Sequence, residues 1–186
     1  MNVLEAIRTR RSVRSFAAHK PIPAEVTARM REALRLAPSA CNIQPWHFIF
    51  VADATLRREV AQVSNGQNWM ADAPLLVVGC GFPEQAYQRM GGYGNSIDVD
   101  VAIALDHLTL AAVAEGLGTC WIGAFDETKV KHLLGIPERV KVVAMTPLGY
   151  PSSDDLNRPA APGQRKGEGE VFSMDRFGNP LAGKGT

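Results

Sequence analysis

Apolar positions along the chain recur with two periods, and the change between them predicts the elements. Val3 and Ile7 share one face of a short first helix, which Asn2 caps with Glu5 three residues on as a capping-box partner. That helix fails around Thr9. A second helix starts at Pro23, a favourable first-turn residue, and carries Val26, Met30, Ala33, Leu34 and Ala37 as its stripe until Pro38 stops it. Trp46 to Val51 alternates, so Trp46, Phe48 and Phe50 face one way in a strand. Asp53 caps a third helix carrying Leu56, Val60 and Val63. Leu75 to Cys80 is an unbroken apolar run between Pro74 and Gly79-Cys80-Gly81, the mark of a central strand buried on both faces.

Ser96 to Glu115 is the longest helix and is apolar nearly all round, so it is expected to be buried on most sides. A single chain of this size has trouble covering such a helix, which makes a subunit interface its natural place. Gly116 and Gly118 end it. Thr119 to Gly123 reads as a short strand, and Thr128 to Leu134 as a short helix stopped by a left-handed Gly135. Val140 to Met145 is a further strand, closed by Pro147-Leu148-Gly149-Tyr150-Pro151. From Ser152 onward Pro, Gly, Ser and charge dominate, and the apolar pattern thins to Val171, Phe172, Met174, Phe177 and Leu181. Such a tail is either disordered or an arm lying on another surface. Helices and strands alternating around one sheet make an α/β three-layer sandwich, a central mixed sheet flanked by helices.

Composition adds boundaries. The chain has 186 residues, 46% apolar and 21% charged, enough for one domain with a real core. A formal net charge of +1 gives no reason to expect nucleic acid or an anionic membrane as partner. The N-terminus lacks a basic stretch followed by an apolar one, so no signal peptide is read. Ile97 to Ala114 carries Asp98, Asp100, Asp106 and His107, which argues against a membrane span. Cys41, Cys80 and Cys120 are odd in number and far apart, which fits reduced thiols in the cytoplasm better than a disulfide framework or zinc site. His19, His47, His107 and His132 are scattered without metal-ligand spacing.

Two early segments carry candidate chemistry. Arg10-Arg11-Ser12-Val13-Arg14 follows the first helix. In an extended segment, residues two apart share a face, so Arg10, Ser12 and Arg14 converge. Two guanidiniums and a hydroxyl suit a phosphate dianion. Arg11 then faces the other way, towards a carboxylate. The plain alternative is a solvated basic run at a helix end. Ala37-Pro38-Ser39-Ala40-Cys41-Asn42-Ile43-Gln44-Pro45-Trp46 offers hydroxyl and amide groups to sugar hydroxyls and a pyrimidine edge, or is simply a Pro- and Ser-rich helix termination. Together the segments suit a ligand anionic at one end and flat and heteroaromatic at the other, such as flavin mononucleotide (FMN).

Both segments resemble the N-terminal signatures of the FMN-dependent nitroreductases. Gly116-Leu117-Gly118-Thr119-Cys120-Trp121-Ile122-Gly123-Ala124-Phe125 and Leu148-Gly149-Tyr150-Pro151 are similar to later ones, and Arg165-Lys166 fits a basic pair with which that family often closes the phosphate site. The likeness runs from Met1 to about Lys166. It implies a homodimer with FMN at the interface, residues 1–151 forming the flavin-binding domain and 152–186 an arm on the partner subunit. Arg10, Ser12 and Arg14, with Arg11 in the same signature, hold the phosphate and the flavin's pyrimidine side in this reading. Arg165 and Lys166 complete the phosphate site. Pro38, Ser39 and Asn42 come from the partner subunit. Ile122 and Gly123 lie against the ring with a backbone N–H near its redox-active nitrogen, and Gln67 or Asn68 supplies an amide facing it. Some members also offer a lysine a few residues on, where this chain has Asn68-Trp69-Met70-Ala71.

The implied activity is ping-pong transfer of hydride from NADH or NADPH, through FMN, to a small nitroaromatic or quinone acceptor. A cation near the flavin's pyrimidine edge favours two-electron chemistry, and the hydride step requires no protein acid or base. No catalytic side chain is therefore named. Other readings are a flavin-binding sensor or carrier without turnover, and a dehalogenating or flavin-destroying enzyme on the same fold, for which 82–96 is the one long lid candidate. Val77-Val78-Gly79-Cys80-Gly81 resembles a dinucleotide fingerprint, but Glu84 occupies the third glycine position and would repel phosphate. Ser39 lacks the Gly-x-Ser-x-Gly elbow of a hydrolase.

Overall fold

A computed structural model describes residues 1–18, 20–153 and 156–181. His19, among the scattered histidines, and the last residues of the tail lie outside the described residues. Four strands, β1 (Trp46–Val51), β2 (Leu75–Gly81), β3 (Gly118–Thr119) and β4 (Lys141–Gly149), form one sheet in the order β1-β2-β4-β3. All three pairings are antiparallel. The parallel component of the expected mixed sheet is an isolated bridge from Ser12 to Thr119. Six helices accompany them among the described residues: α1 (Val3–Thr9), α2 (Ala24–Arg35), α3 (Ala54–Gln62), α4 (Ile97–Ala114), α5 (Glu127–Leu134) and α6 (Glu168–Val171).

The alternation read from sequence sorts side chains onto two cores. Trp46, Phe48 and Phe50 of β1 pack with Val77 of β2 against α2 and α4. Leu76, Val78 and Cys80 point the other way, into the core closed by α3 and α5. This is the three-layer arrangement. α2 and α4 run antiparallel. Arg29 meets Glu115 at 2.6 Å at one end, and the Ala40 N–H donates to Asp100 at 2.9 Å at the other.

Local signals hold at the helix ends. Asn2 and Glu5 form the capping box of α1, Asp53 accepts from Thr55 and Leu56 at the start of α3, and α5 runs from the cap Asp126 to Gly135. The dinucleotide-like glycines have a packing role. β2 continues through them, with its register against β4 shifting between Gly79 and Cys80, and a Cβ on Gly79 would lie 2.9 Å from Leu105, one on Gly81 2.3 Å from Ile97. They let α4 approach the sheet closely.

Two strand bounds need correction. β3 is shorter than Thr119 to Gly123, and β4 runs on past Met145 through Pro147. The reason is Pro147 itself. In the β3–β4 register it stands opposite Cys120 and has no N–H to give. The Cys120 carbonyl therefore receives no ladder bond from Pro147, the Cys120 N–H donates to the Thr146 hydroxyl at 3.1 Å, and pairing resumes only at Ile122 and Met145. Val3 and Ile7 share a face, yet both are exposed, and only Ala6 of α1 is buried. Among the described residues no helix is long and apolar enough to cross a membrane.

Candidate functional site

The Arg10–Arg14 segment is extended, as its alternation predicts. Arg10 has φ −55° and ψ 129°. The Val13 N–H donates to the Thr119 carbonyl at 2.9 Å, which lays the segment along β3. Val13 is buried beneath Gly118, while Ser12 and Arg14 on either side of it are exposed. Further along, Phe16 stacks on Trp69 with ring centres 6.5 Å apart, and the two close a small core with Ala73 and Leu156. Burying Val13 and Phe16 contributes about 1.5–3 kcal/mol each. The Ala17 N–H donates to Tyr150, the Ser152 N–H donates to Ser15, and the Asn157 amide donates to Leu117. The cationic segment is therefore pinned on both sides.

Cations converge there. Arg11 is held below its ordinary pKa, first by burial and then by repulsion from Arg165, Arg10 and Arg158. Its guanidinium donates to the Arg10 carbonyl at 2.7 Å, and its Nη2 is buried with no partner among the described residues. Among the described residues Arg11 meets no carboxylate. It turns back on the main chain and faces like charge. Among the described residues Arg10, Arg11, Arg14 and Arg165 make no salt bridge. Cys120 neighbours Arg14, Ser12 and Arg10. Burial pushes its thiol up, against the pull of Arg14, a hydrogen bond with Ser12, and Arg10.

The ring-facing candidates border this cluster. Ile122 is buried through its pairing with Met145, and Gly123 beside it is exposed, with open space where a Cβ would stand except for Trp121 at 3.8 Å. The Gln67 amide donates to Ser64 at 3.1 Å and to Ala124 at 3.4 Å, so it sits against the same loop. Asn68 turns outward into a groove with Arg58, Gln62 and Asp72. Lys166 is exposed and is not among the charges acting on Arg11, whereas its neighbour Arg165 is.

Pro38, Ser39 and Asn42 lie elsewhere. Their loop holds left-handed backbone at Cys41, Asn42 and Gln44, with φ of 51°, 54° and 55°. Such conformations cost of order 1–3 kcal/mol each and persist only where surroundings impose them. Here the Ser39 hydroxyl accepts from the Gln44 N–H at 2.8 Å, and buried Asp100 accepts from the Ala40 N–H and, at 2.6 Å, from the Ser96 hydroxyl. This anchor sits near the N-terminal end of α4, whereas the Arg10–Arg14 segment lies beside β3, beyond its C-terminal end. α4 has 18 residues, a span of roughly 27 Å at helical rise. One chain therefore keeps its two candidate sets at opposite ends of a helix.

Sequence reasoning did not place Asp100 beside the Pro38–Asn42 loop, Arg158 beside Arg11 or Trp69 on Phe16. The acids at 98, 100 and 106 among the apolar residues of this helix were the available sign for Asp100. Nothing local marks the other two. Among the described residues no group of three or more His, Cys, Asp or Glu is placed to hold a metal ion.

Known proteins resemble this chain in sequence and in fold. A Methanothermobacter thermautotrophicus protein named as an NADH dehydrogenase/NAD(P)H nitroreductase is 32% identical over 181 residues, covering 95% of this chain and 86% of the relative. The crystal structure of a nitroreductase family protein from Clostridium novyi superimposes with a TM-score of 0.77 at 31% identity over 97% of both chains. The NADPH:FMN oxidoreductase of Vibrio harveyi, solved with NAD+, gives a TM-score of 0.81 at 27% identity over 95% of this chain and 78% of that one. The model for the nitroreductase family matches residues 7–91 and 65–150, which span both the arginine segment and the loop after β3. On fold, signatures and descent alike, the chain belongs to the nitroreductase family.

Proposed function

We propose that the protein is an FMN-dependent NAD(P)H oxidoreductase that works as a homodimer and reduces small nitroaromatic or quinone-type acceptors. The observation that carries this reading is the cluster of Arg10, Arg11, Arg14 and Arg165, which lack a carboxylate partner among the described residues and include a buried, unpartnered guanidinium nitrogen. A group that combines desolvation with like-charge neighbours wants an anion, and a phosphate satisfies several forked donors at once. The residues therefore fit a phosphorylated flavin. Arg10, Arg11, Ser12, Arg14 and Arg165 would hold its phosphate and pyrimidine side, with exposed Lys166 added from the arm. Exposed Gly123 and half-buried Gln67 would face the ring.

The opposite placement of the two sets along α4 supports a shared site. Pro38, Ser39 and Asn42 of a second copy would close what the first copy opens. When bound, FMN supplies two-electron hydride exchange between the nicotinamide and the acceptor in successive half-reactions. The protein's part is positioning and charge. Its guanidiniums neutralise the anionic end, its backbone donors orient the ring, and packing keeps the Arg10–Phe16 segment fixed. The three unpaired thiols fit the reducing cytoplasm.

The test is spectroscopic. The purified protein should be yellow, release FMN on denaturation, and bleach when NADH or NADPH is added without oxygen. Flavin that stays oxidised would leave the carrier reading in place. Arg10→Ala should weaken FMN binding by about tenfold to a hundredfold, the scale of one charge-assisted phosphate contact, read by fluorescence titration. A variant that keeps full flavin through gel filtration would overturn the phosphate assignment.

A further inference from the structure

We infer that the electron acceptor enters the cleft between the Pro38–Ala40 loop and Tyr87–Met90, and that Arg89 selects acceptors that are flat, aromatic and negatively charged. The inference rests on the oxidoreductase reading and specifies its substrate class.

Most of the cleft is apolar: Pro38, Tyr87, Met90, Val99 and Ile103 contribute to its wall. Tyr87 and Val99 are exposed at 38% and 40%, so apolar surface is available to a ligand there. The wall carries two strongly ionising groups, Asp100 and Arg89. Asp100 is already engaged. It is 2% exposed, and its two oxygens accept from Ala40 and Ser96. Arg89 is exposed and makes no salt bridge among the described residues. The charge on offer to a ligand is therefore a guanidinium beside an aromatic ring and a thioether, which suits a carboxylate or phenolate on a flat ring.

Position agrees with this use. The cleft shares Pro38 and Ser39 with the loop proposed to reach the second copy's flavin. Its other side is anchored to the same acid, because the Ser96 N–H donates to Tyr87 at 2.9 Å while the Ser96 hydroxyl donates to Asp100. For a nitroarene the overall reaction balances as one nitro oxygen leaving as water. NAD(P)H supplies the hydride, solvent supplies one proton, and the products are a nitrosoarene and NAD(P)+.

The experiment compares 4-nitrobenzoate with methyl 4-nitrobenzoate, which share the nitro group and differ in charge. On the flavin-loaded protein, Arg89→Gln should lower the acid-to-ester ratio of kcat/KM by about tenfold, the scale of one lost charge-assisted contact, with the ester changed less than twofold by the same reasoning. Arg89→Lys should restore part of the ratio. Calorimetric binding of 4-nitrobenzoate to the oxidised holoprotein should weaken by a similar factor in Arg89→Gln. An unmoved ratio with unmoved binding, in a protein whose flavin bleaches with NADPH, overturns the role of Arg89 and leaves the oxidoreductase reading standing. Absence of bleaching overturns both.

Discussion

A side chain's titration reports what surrounds it, and the buried thiols illustrate how. Cys80 lies in the core under α5, and burial pushes its pKa up from 9.0 to about 11. The folded chain thus keeps a proton that the unfolded chain has lost between those values. By linkage, stability falls as pH rises through that interval, and below it this group contributes no pH dependence. From about pH 8 to about pH 10 the loss should be about 1 kcal/mol. Urea unfolding at the two pH values should show this excess loss in the native sequence and not in Cys80→Ala. An equal pH dependence in both proteins would count against the burial effect. Arg11 obeys the same rule with opposite charge. Its desolvated guanidinium opposes folding until an anion meets it, so a bound phosphate should stabilise the fold as well as fill the site.

At the level of elements, the site depends on a close approach between β3 and the arginine segment. A Cβ on Gly118 would stand 2.8 Å from Cβ, Cγ1 and Cγ2 of Val13. Gly118→Ala should therefore push the segment off the sheet. The expected loss is about 1–3 kcal/mol of stability from overpacking, accompanied by weaker FMN binding, and Val13→Ala should recover part of both. Thermal melts and flavin titration of the single and double variants check it. A Gly118→Ala protein with native affinity would mean that the segment's position does not govern the site. The same contact shows where sequence stops being legible. Val13 between exposed neighbours could be read from alternation, as could β1, α2, α3 and α5, because caps and periodic stripes are local. The break in β3 could not be read, since it comes from Pro147 on another strand. Nor could the Phe16–Trp69 stack or the charge of Arg158 on Arg11 be foreseen, since both join residues distant in sequence.

The fold leaves apolar side chains of its first helix and its arm uncovered. Val3, Leu4 and Ile7 of α1 are exposed, and so are Val171, Phe172 and Phe177 of the arm, the last fully. From residue 161 onward every described residue is exposed. Apolar side chains gathered on one helix and one extended tail mark a contact surface. A stretch that from residue 161 onward buries no described residue on its own chain while carrying Phe172 and Phe177 is suited to a second copy. The charge of Arg165 on Arg11 ties the start of that arm to the phosphate cluster. Removing residues 162–186 should therefore act on two quantities together. Sedimentation velocity should show the dimer dissociating at higher protein concentration, and FMN affinity should fall by about tenfold or more, because one guanidinium and the clamp on the partner are lost at once. Arg165→Ala in the full chain separates the two effects: it should weaken FMN while leaving the sedimentation profile unchanged. If the truncated protein holds both its dimer and its flavin as tightly as the full chain, the arm is a passive tail, and the uncovered face of α1 must account for assembly by itself.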